Sequence, residues 1–225
     1  MIDLDNLSYG YGDGTLIEGV TLTLSQGAFL FLTGPSGAGK TTLLRLCFGE
    51  LMPVAGRLTI FGRERAAMSR DDIARARRRI GMVHQDCRFL DHLPVAGNVA
   101  LPLLAAGFDL AAEQQNVAQL MRWVGLEAQA GALPPSLSGG ERQRAALARA
   151  LILAPEVILA DEPTGNIDWE MSLRLLALLV ELNRMGKTIL LATHDLNLIR
   201  AAKAQVAARV LRIRAGRVEL AGADL

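Results

Sequence analysis

Two cysteines in 225 residues, Cys47 and Cys87, supply neither a disulfide framework nor a zinc site, which suits a reducing compartment. No apolar run approaches the length that spans a bilayer; the best candidate, Ala145 to Ala160, is interrupted by Arg149 and Glu156. Neither sign of charge is in excess. The net charge of +1 predicts no strong bulk attraction to nucleic acid, so no nucleic-acid partner is expected. Low-complexity segments and internal repeats are missing, and Met1 opens on strand-like sequence without a signal-peptide pattern. Together these absences predict a soluble, cytoplasmic chain whose membrane role, if it has one, comes through a partner. What remains is ordinary globular composition, 51% hydrophobic and 21% charged, at a length that fits one domain with room for a subdomain.

The chain is organised around Gly34-Pro35-Ser36-Gly37-Ala38-Gly39-Lys40-Thr41, which reads G-x-x-x-x-G-K-T. An apolar run, Ala28 to Thr33, precedes it as a buried strand. Leu43, Leu44, Leu46 and Cys47 follow at helical spacing, with Gly49 as the stop. Strand, glycine loop and helix form the setting of a phosphate-binding loop. Glycines let backbone N–H groups wrap phosphate oxygens where a Cβ would clash, and the helix N-terminus adds partial positive charge. Lys40 adds a full charge, and the Thr41 hydroxyl can ligate Mg²⁺.

Upstream, residues 2–8 and 20–24 alternate like half-exposed strands, with Gly10, Gly12, Asp13 and Gly14 marking a turn between them. Tyr11 in that turn either stacks on a nucleotide base or covers the sheet edge. Downstream, Leu58 to Phe61 and Ile80 to His84 read as strands. Ile73 to Arg79 reads as a basic helix whose arginines form a solvated face. Pro94, Gly97 and Pro102 make residues 87–108 an irregular, fairly apolar connection. Asp109 caps a helix that buries Val117, Leu120, Met121 and Val124 and ends at Gly125; Trp123 reads as a packing residue. The stretch from Thr41 to Val157 is too long for a simple crossover and must house an inserted helical subdomain, closed by a hinge at Pro134-Pro135.

Ser138-Gly139-Gly140-Glu141 opens a helix through about Leu153. Ser138 with Glu141 is a capping box, and two glycines at a helix start also suit an anion. Val157 to Ala160 is a buried strand that delivers Asp161 and Glu162 at its end, where Asp161 can hold Mg²⁺ and Glu162 can orient water. Leu173 to Leu182 is an amphipathic helix stopped by Gly186. Thr188 to Thr193 is a further buried strand ending at His194, placed to sense a γ-phosphate. Val210 to Leu220, with Ala215-Gly216 inside, reads as a hairpin.

In combination these pieces resemble the ATP-binding cassette ATPases over essentially the whole chain. Five motifs stand in the family's order: the phosphate loop, Gln85, the signature Leu137 to Glu141, the Asp161-Glu162 strand end and His194. Asn166-Ile167-Asp168 matches the D-loop. The resemblance implies an α/β fold, a P-loop NTPase with a RecA-like parallel-sheet core, an N-terminal antiparallel β subdomain and an inserted α-helical subdomain. Residues 1–86 and 155–225 would form the core of this single cassette, and 87–154 the helical subdomain.

It implies ATP and Mg²⁺ as ligands. Tyr11 and the run Gly34, Pro35, Ser36, Gly37, Ala38, Gly39, Lys40, Thr41 and Thr42 would bind ATP, with Thr41, Gln85 and Asp161 around Mg²⁺. Glu162 and His194 would be catalytic. Ser138, Gly139, Gly140 and Glu141 would cap ATP held by a second copy in an ATP-dependent homodimer, with Asp168 in the D-loop. A membrane-embedded permease-like partner would dock on residues 85–104, placing the chain at the cytoplasmic face of the cell membrane. The nearest branch is the cell-division one; the lipoprotein-releasing and macrolide-export branches are the alternative. The chain departs from the family pattern at His84, Gly97, Arg142 and Ile167.

Overall fold

Alternating apolar side chains pair the first two runs as a hairpin: β1 (Ile2–Tyr11) lies antiparallel to β2 (Gly14–Leu24), with Ile2 opposite Leu24 and Leu4 opposite Leu22. The computed structural model describes residues 1–221 except Asp13 and Asn166, so the turn role of Asp13 and the D-loop place of Asn166 lie outside the described residues. β3 (Phe29–Thr33) is buried along its whole length and leads into α1 (Lys40–Cys47). β4 (Ala55–Ile60) returns to the other edge of β1, and β5 (Arg63–Glu64) extends that small sheet. α2 (Arg70–Arg78) follows, capped by a reciprocal Ser69–Asp72 box.

β6 (Ile80–Val83), α3 (Val95–Ala106), α4 (Leu110–Trp123) and α5 (Gly139–Leu151) come next. The chain then alternates β7 (Val157–Asp161), α6 (Trp169–Arg184), β8 (Thr188–Ala192) and α7 (Leu196–Lys203). It ends in the hairpin β9 (Ala208–Arg214) and β10 (Arg217–Leu220).

The second sheet has the order β10-β9-β3-β8-β7-β6 and is parallel except for β10. Its inner strands are continuous apolar runs because helices and the small sheet cover both faces. On one face, Leu30, Leu32, Leu159 and Leu190 pack with α1 and the small sheet. On the other, Phe29, Phe31, Ile158 and Leu191 pack with α5, α6 and α7. A third apolar cluster, including Val99, Leu103, Val117, Met121 and Ala145, joins α3, α4 and α5.

The reading of 87–108 as irregular is corrected here, because residues 95–106 form a helix that carries Pro102 in its interior. Proline removes one main-chain hydrogen bond there, a cost offset by burial of Val95, Val99 and Leu103 against α4 and α5. Fully buried Asn98 fixes the approach to this helix. Its Oδ1 accepts from the Leu90 N–H at 2.8 Å, and its Nδ2 donates to the Leu90 and Leu93 carbonyls at 3.0 and 2.9 Å. Asn98→Leu strands those three main-chain groups and is expected to cost on the order of 2–4 kcal/mol in urea unfolding.

The arginines closing α2 are structural ties as well as a solvated face. Arg75 pairs with Asp72 at 2.6 Å and Arg77 donates to the Gly49 carbonyl at 3.1 Å. Arg79 pairs with Glu156 while lying 3.6 Å over the Phe61 ring. α7, which Asp195 caps through the N–H groups of Asn197 and Leu198, is an element the sequence reading left out.

Candidate functional site

The neighbouring parallel strands β3, β8, β7 and β6 end at one edge of the sheet, so the segments that follow them converge there. After β3 the chain turns through Gly34 at φ +154°. A Cβ at that position would sit 2.6 Å from both the Ile213 side chain and its carbonyl oxygen, so only glycine passes. Gly39 (φ +103°) begins α1 without a side-chain cap, and Lys40, Thr41 and Thr42 line a cavity of about 600 Å³. Gly34, Pro35, Ser36, Gly37, Gln85, Asp161, Glu162 and His194 line the same cavity. A glycine-rich turn, a lysine and an uncapped helix start on one cavity make a cradle for phosphate groups.

Lys40 Nζ donates to the carbonyls of Gly34 and Pro35 at 2.9 and 3.2 Å and stands 3.7 Å from Glu162 Oε1. Glu162 is almost fully buried and adopts φ +45°, an unusual backbone for a side chain with a Cβ. Its N–H donates to the Ala192 carbonyl, and its own carbonyl accepts from Gly165, so β8 and the following turn hold that conformation. The carboxylate is thereby turned toward Lys40 on one oxygen and toward His194 Nδ1, at 3.0 Å, on the other. The His194 side chain remains 74% exposed, so it can meet a ligand while touching Glu162.

Asp161 ends β7, buried, with Oδ1 lacking any hydrogen-bond partner among the described residues. Burial pushes its carboxyl up from the usual range; the Thr41 hydroxyl and Lys40 pull it down, and Glu162 adds to the rise. An orphaned carboxylate oxygen beside a threonine hydroxyl, with the Gln85 amide on the same wall, is a set of hard oxygen donors. That set fits Mg²⁺, with phosphate oxygens and water completing the shell. Among the described residues no group of three or more His, Cys, Asp or Glu could hold a metal without such help.

Other predicted site residues lie elsewhere. The Tyr11 hydroxyl is 3.5 Å from Thr42 Oγ1 and accepts from Arg45 at 3.2 Å, which puts the tyrosine at the cavity's rim. Ala38 and Ser138 to Glu141 are not on the cavity wall. Ser138 and Glu141 make the reciprocal cap of α5, and Asp168 caps α6 by accepting from Met171 N–H at 2.8 Å. Leu16 and Gly165 line the cavity without having been singled out; an apolar residue in an alternating strand and a glycine in a turn carry no chemical signal of their own.

The family described as ABC transporter matches residues 17–165. The chain belongs to the ABC transporter ATPases. It is a cassette that binds and hydrolyses ATP. The cassette is similar to the cell division ATP-binding protein FtsE of Haemophilus influenzae, 46% identical over 88% of this chain and 92% of that one. It is 43% identical to the Escherichia coli FtsE over 88% of this chain and 90% of that one. It also resembles the methionine import ATP-binding protein MetN of Mesorhizobium japonicum, 42% identical over 97% of this chain but 59% of that longer one. Among solved structures, the cassette MJ0796, described as a dimer bound to ADP and phosphate, superposes with a TM-score of 0.87 at 31% identity, covering 97% of each chain.

Proposed function

We propose that this cassette is the ATPase subunit of an FtsE-like complex and works with a membrane-embedded FtsX-like permease that docks on residues 85–104. ATP-driven motion would pass through that permease to control cell-wall hydrolases in division. The observation carrying this reading is similarity that covers 88% of this chain and 92% and 90% of two FtsE proteins, against 59% of the longer MetN. No described helix is long and apolar enough to cross a membrane, so attachment at the cytoplasmic face would come through the partner. A subunit of a lipoprotein-releasing or macrolide-export transporter is the second reading, carried by the run Asp161-Glu162-Pro163-Thr164-Gly165-Asn166 that those branches share.

Within the site, Tyr11 and residues 34–42 bind ATP, the backbone N–H groups and Lys40 holding its phosphates. Thr41, Gln85 and Asp161 would hold Mg²⁺, which when bound would supply positive charge against the phosphates. Glu162 would orient the attacking water and accept its proton, and His194, whose exposed ring meets the Glu162 carboxylate, would contact the γ-phosphate. Ser138, Gly139, Gly140 and Glu141 stay off this chain's own cavity, which supports their serving the ATP held by a second copy. ATP then bridges two half-sites, and hydrolysis removes the γ-phosphate contact that joins them.

Purification of the tagged chain from native membranes tests the partner: the expected result is a single co-purifying FtsX-like permease. Recovery of a methionine- or lipoprotein-transport permease in its place overturns the cell-division reading. Asp161→Asn tests the metal assignment. Without nucleotide it relieves a buried, partly unpaired carboxylate and is expected to raise Tm by about 2–4 °C. It is also expected to abolish the further stabilisation that Mg²⁺ adds to ATP. An undiminished Mg²⁺ effect in this variant overturns the role of Asp161.

A further inference from the structure

The turn that follows Gln85 is held in a conformation its own residues disfavour. Cys87 and Arg88 stand in succession at φ +58° and +44°, left-handed values without a glycine in the pair. The restraint comes from α5. Arg149 donates to the Cys87 carbonyl, and to the Arg88 carbonyl at 2.7 Å. Arg142, two turns earlier on the same helix face, and Arg149 both lie against the Phe89 ring, at 5.5 and 4.8 Å from its centre. Buried Gln143 donates from Nε2 to the Gln85 carbonyl at 3.4 Å.

One helix therefore grips the loop at its main chain, at its aromatic side chain and at Gln85 itself. Arg149 is half-buried, and among the described residues no carboxylate forms an ion pair with it; its donors are spent on loop carbonyls. The helix that does this gripping starts at Ser138 and the two signature glycines.

We propose that Arg149 is a positioning residue for ATP hydrolysis: it clamps the left-handed Cys87–Arg88 turn, so that Gln85 is presented to the nucleotide cavity and moves together with the signature helix. This rests on the proposed place of Gln85 beside Mg²⁺. Arg149 itself is not on the cavity wall, so it acts through the loop. An arginine can serve two successive carbonyls at once with its planar fork, whereas lysine serves them as a single point.

The test compares Arg149→Met, Arg149→Lys and Arg149→Met/Arg88→Gly with the parent chain by hydrogen exchange and steady-state hydrolysis. Arg149→Met is expected to speed amide exchange at residues 87–90 by about tenfold or more, with the strand amides of β7 unchanged. It is also expected to lower kcat about tenfold while KM for ATP stays within about twofold. Arg149→Lys should fall between, and it carries the test if the methionine variant does not fold. Adding Arg88→Gly relieves the strain at one of the two left-handed residues, while Cys87 keeps its own, and should recover part of the lost kcat.

Unchanged exchange at 87–90 in both single variants overturns the clamp. So does a kcat loss that Arg88→Gly leaves unrepaired. Faster exchange with kcat unaltered keeps the clamp but overturns its positioning role, and a Gln85→Ala variant whose kcat matches the parent faults the proposed place of Gln85 instead.

Discussion

Lys40→Ala is expected to weaken ATP binding by about 100-fold or more, a loss near 2.7 kcal/mol, and to remove measurable hydrolysis. The ammonium sits at the mouth of the glycine turn, donating to the Gly34 and Pro35 carbonyls and 3.7 Å from Glu162. Alanine leaves two loop carbonyls without their donor and leaves the Glu162 carboxylate facing incoming phosphates without an intervening positive charge. Both changes oppose a polyanion in a site where water is partly excluded. Arginine is not a conservative repair, since its planar fork cannot reproduce a point charge inside so tight a turn. Titration with a fluorescent ATP analogue, alongside circular dichroism to show an intact fold, reads the effect. Affinity within about threefold of the parent chain would remove Lys40 from the phosphate site.

The site was legible where chemistry demands fixed residue types at fixed spacing. Gly34 and Lys40 could be singled out because they stand in G-x-x-x-x-G-K-T between an apolar strand and a helix, and the structure supplies the reason at Gly34, where a Cβ would meet Ile213. Three buried strands were legible from the runs Ala28 to Thr33, Val157 to Ala160 and Thr188 to Thr193, and their parallel order followed from the family resemblance; the structure places all three in one parallel sheet with both faces covered. What stayed hidden depends on packing between distant segments. Gly97 and Pro102 look like helix breakers in isolation, yet Val95, Val99 and Leu103 bury enough surface on α4 and α5 to sustain α3 through them. The left-handed backbones at Glu162, Cys87 and Arg88 leave no mark in the sequence, because none is glycine and each is held by hydrogen bonds to another element. α7 carries a readable pattern, Asp195 followed by Leu198, Ile199 and Ala202, but its eight residues are short for periodicity to stand out.

Glu162→Gln should separate binding from chemistry. The amide keeps the size of the side chain and can keep a hydrogen bond to His194, so the turn at φ +45° and the cavity wall are expected to survive. It cannot accept a proton from water at useful strength, and removing a general base of this kind typically lowers turnover by about 10²–10⁴-fold. ATP affinity should hold or improve, because one negative charge has left a cavity that must receive a triphosphate. With hydrolysis stalled, ATP would persist between the phosphate loop of one copy and Ser138 to Glu141 of another. The variant is therefore expected to run as a dimer with Mg²⁺ and ATP, and as a monomer with ADP, in light scattering behind size exclusion. A double variant adding Ser138→Arg should return it to monomer, since a bulky cation at the exposed start of α5 blocks the partner's γ-phosphate from that helix. Hydrolysis by Glu162→Gln at the parent rate would show that the proton goes elsewhere, and a dimer that survives Ser138→Arg would place the contact on a different face.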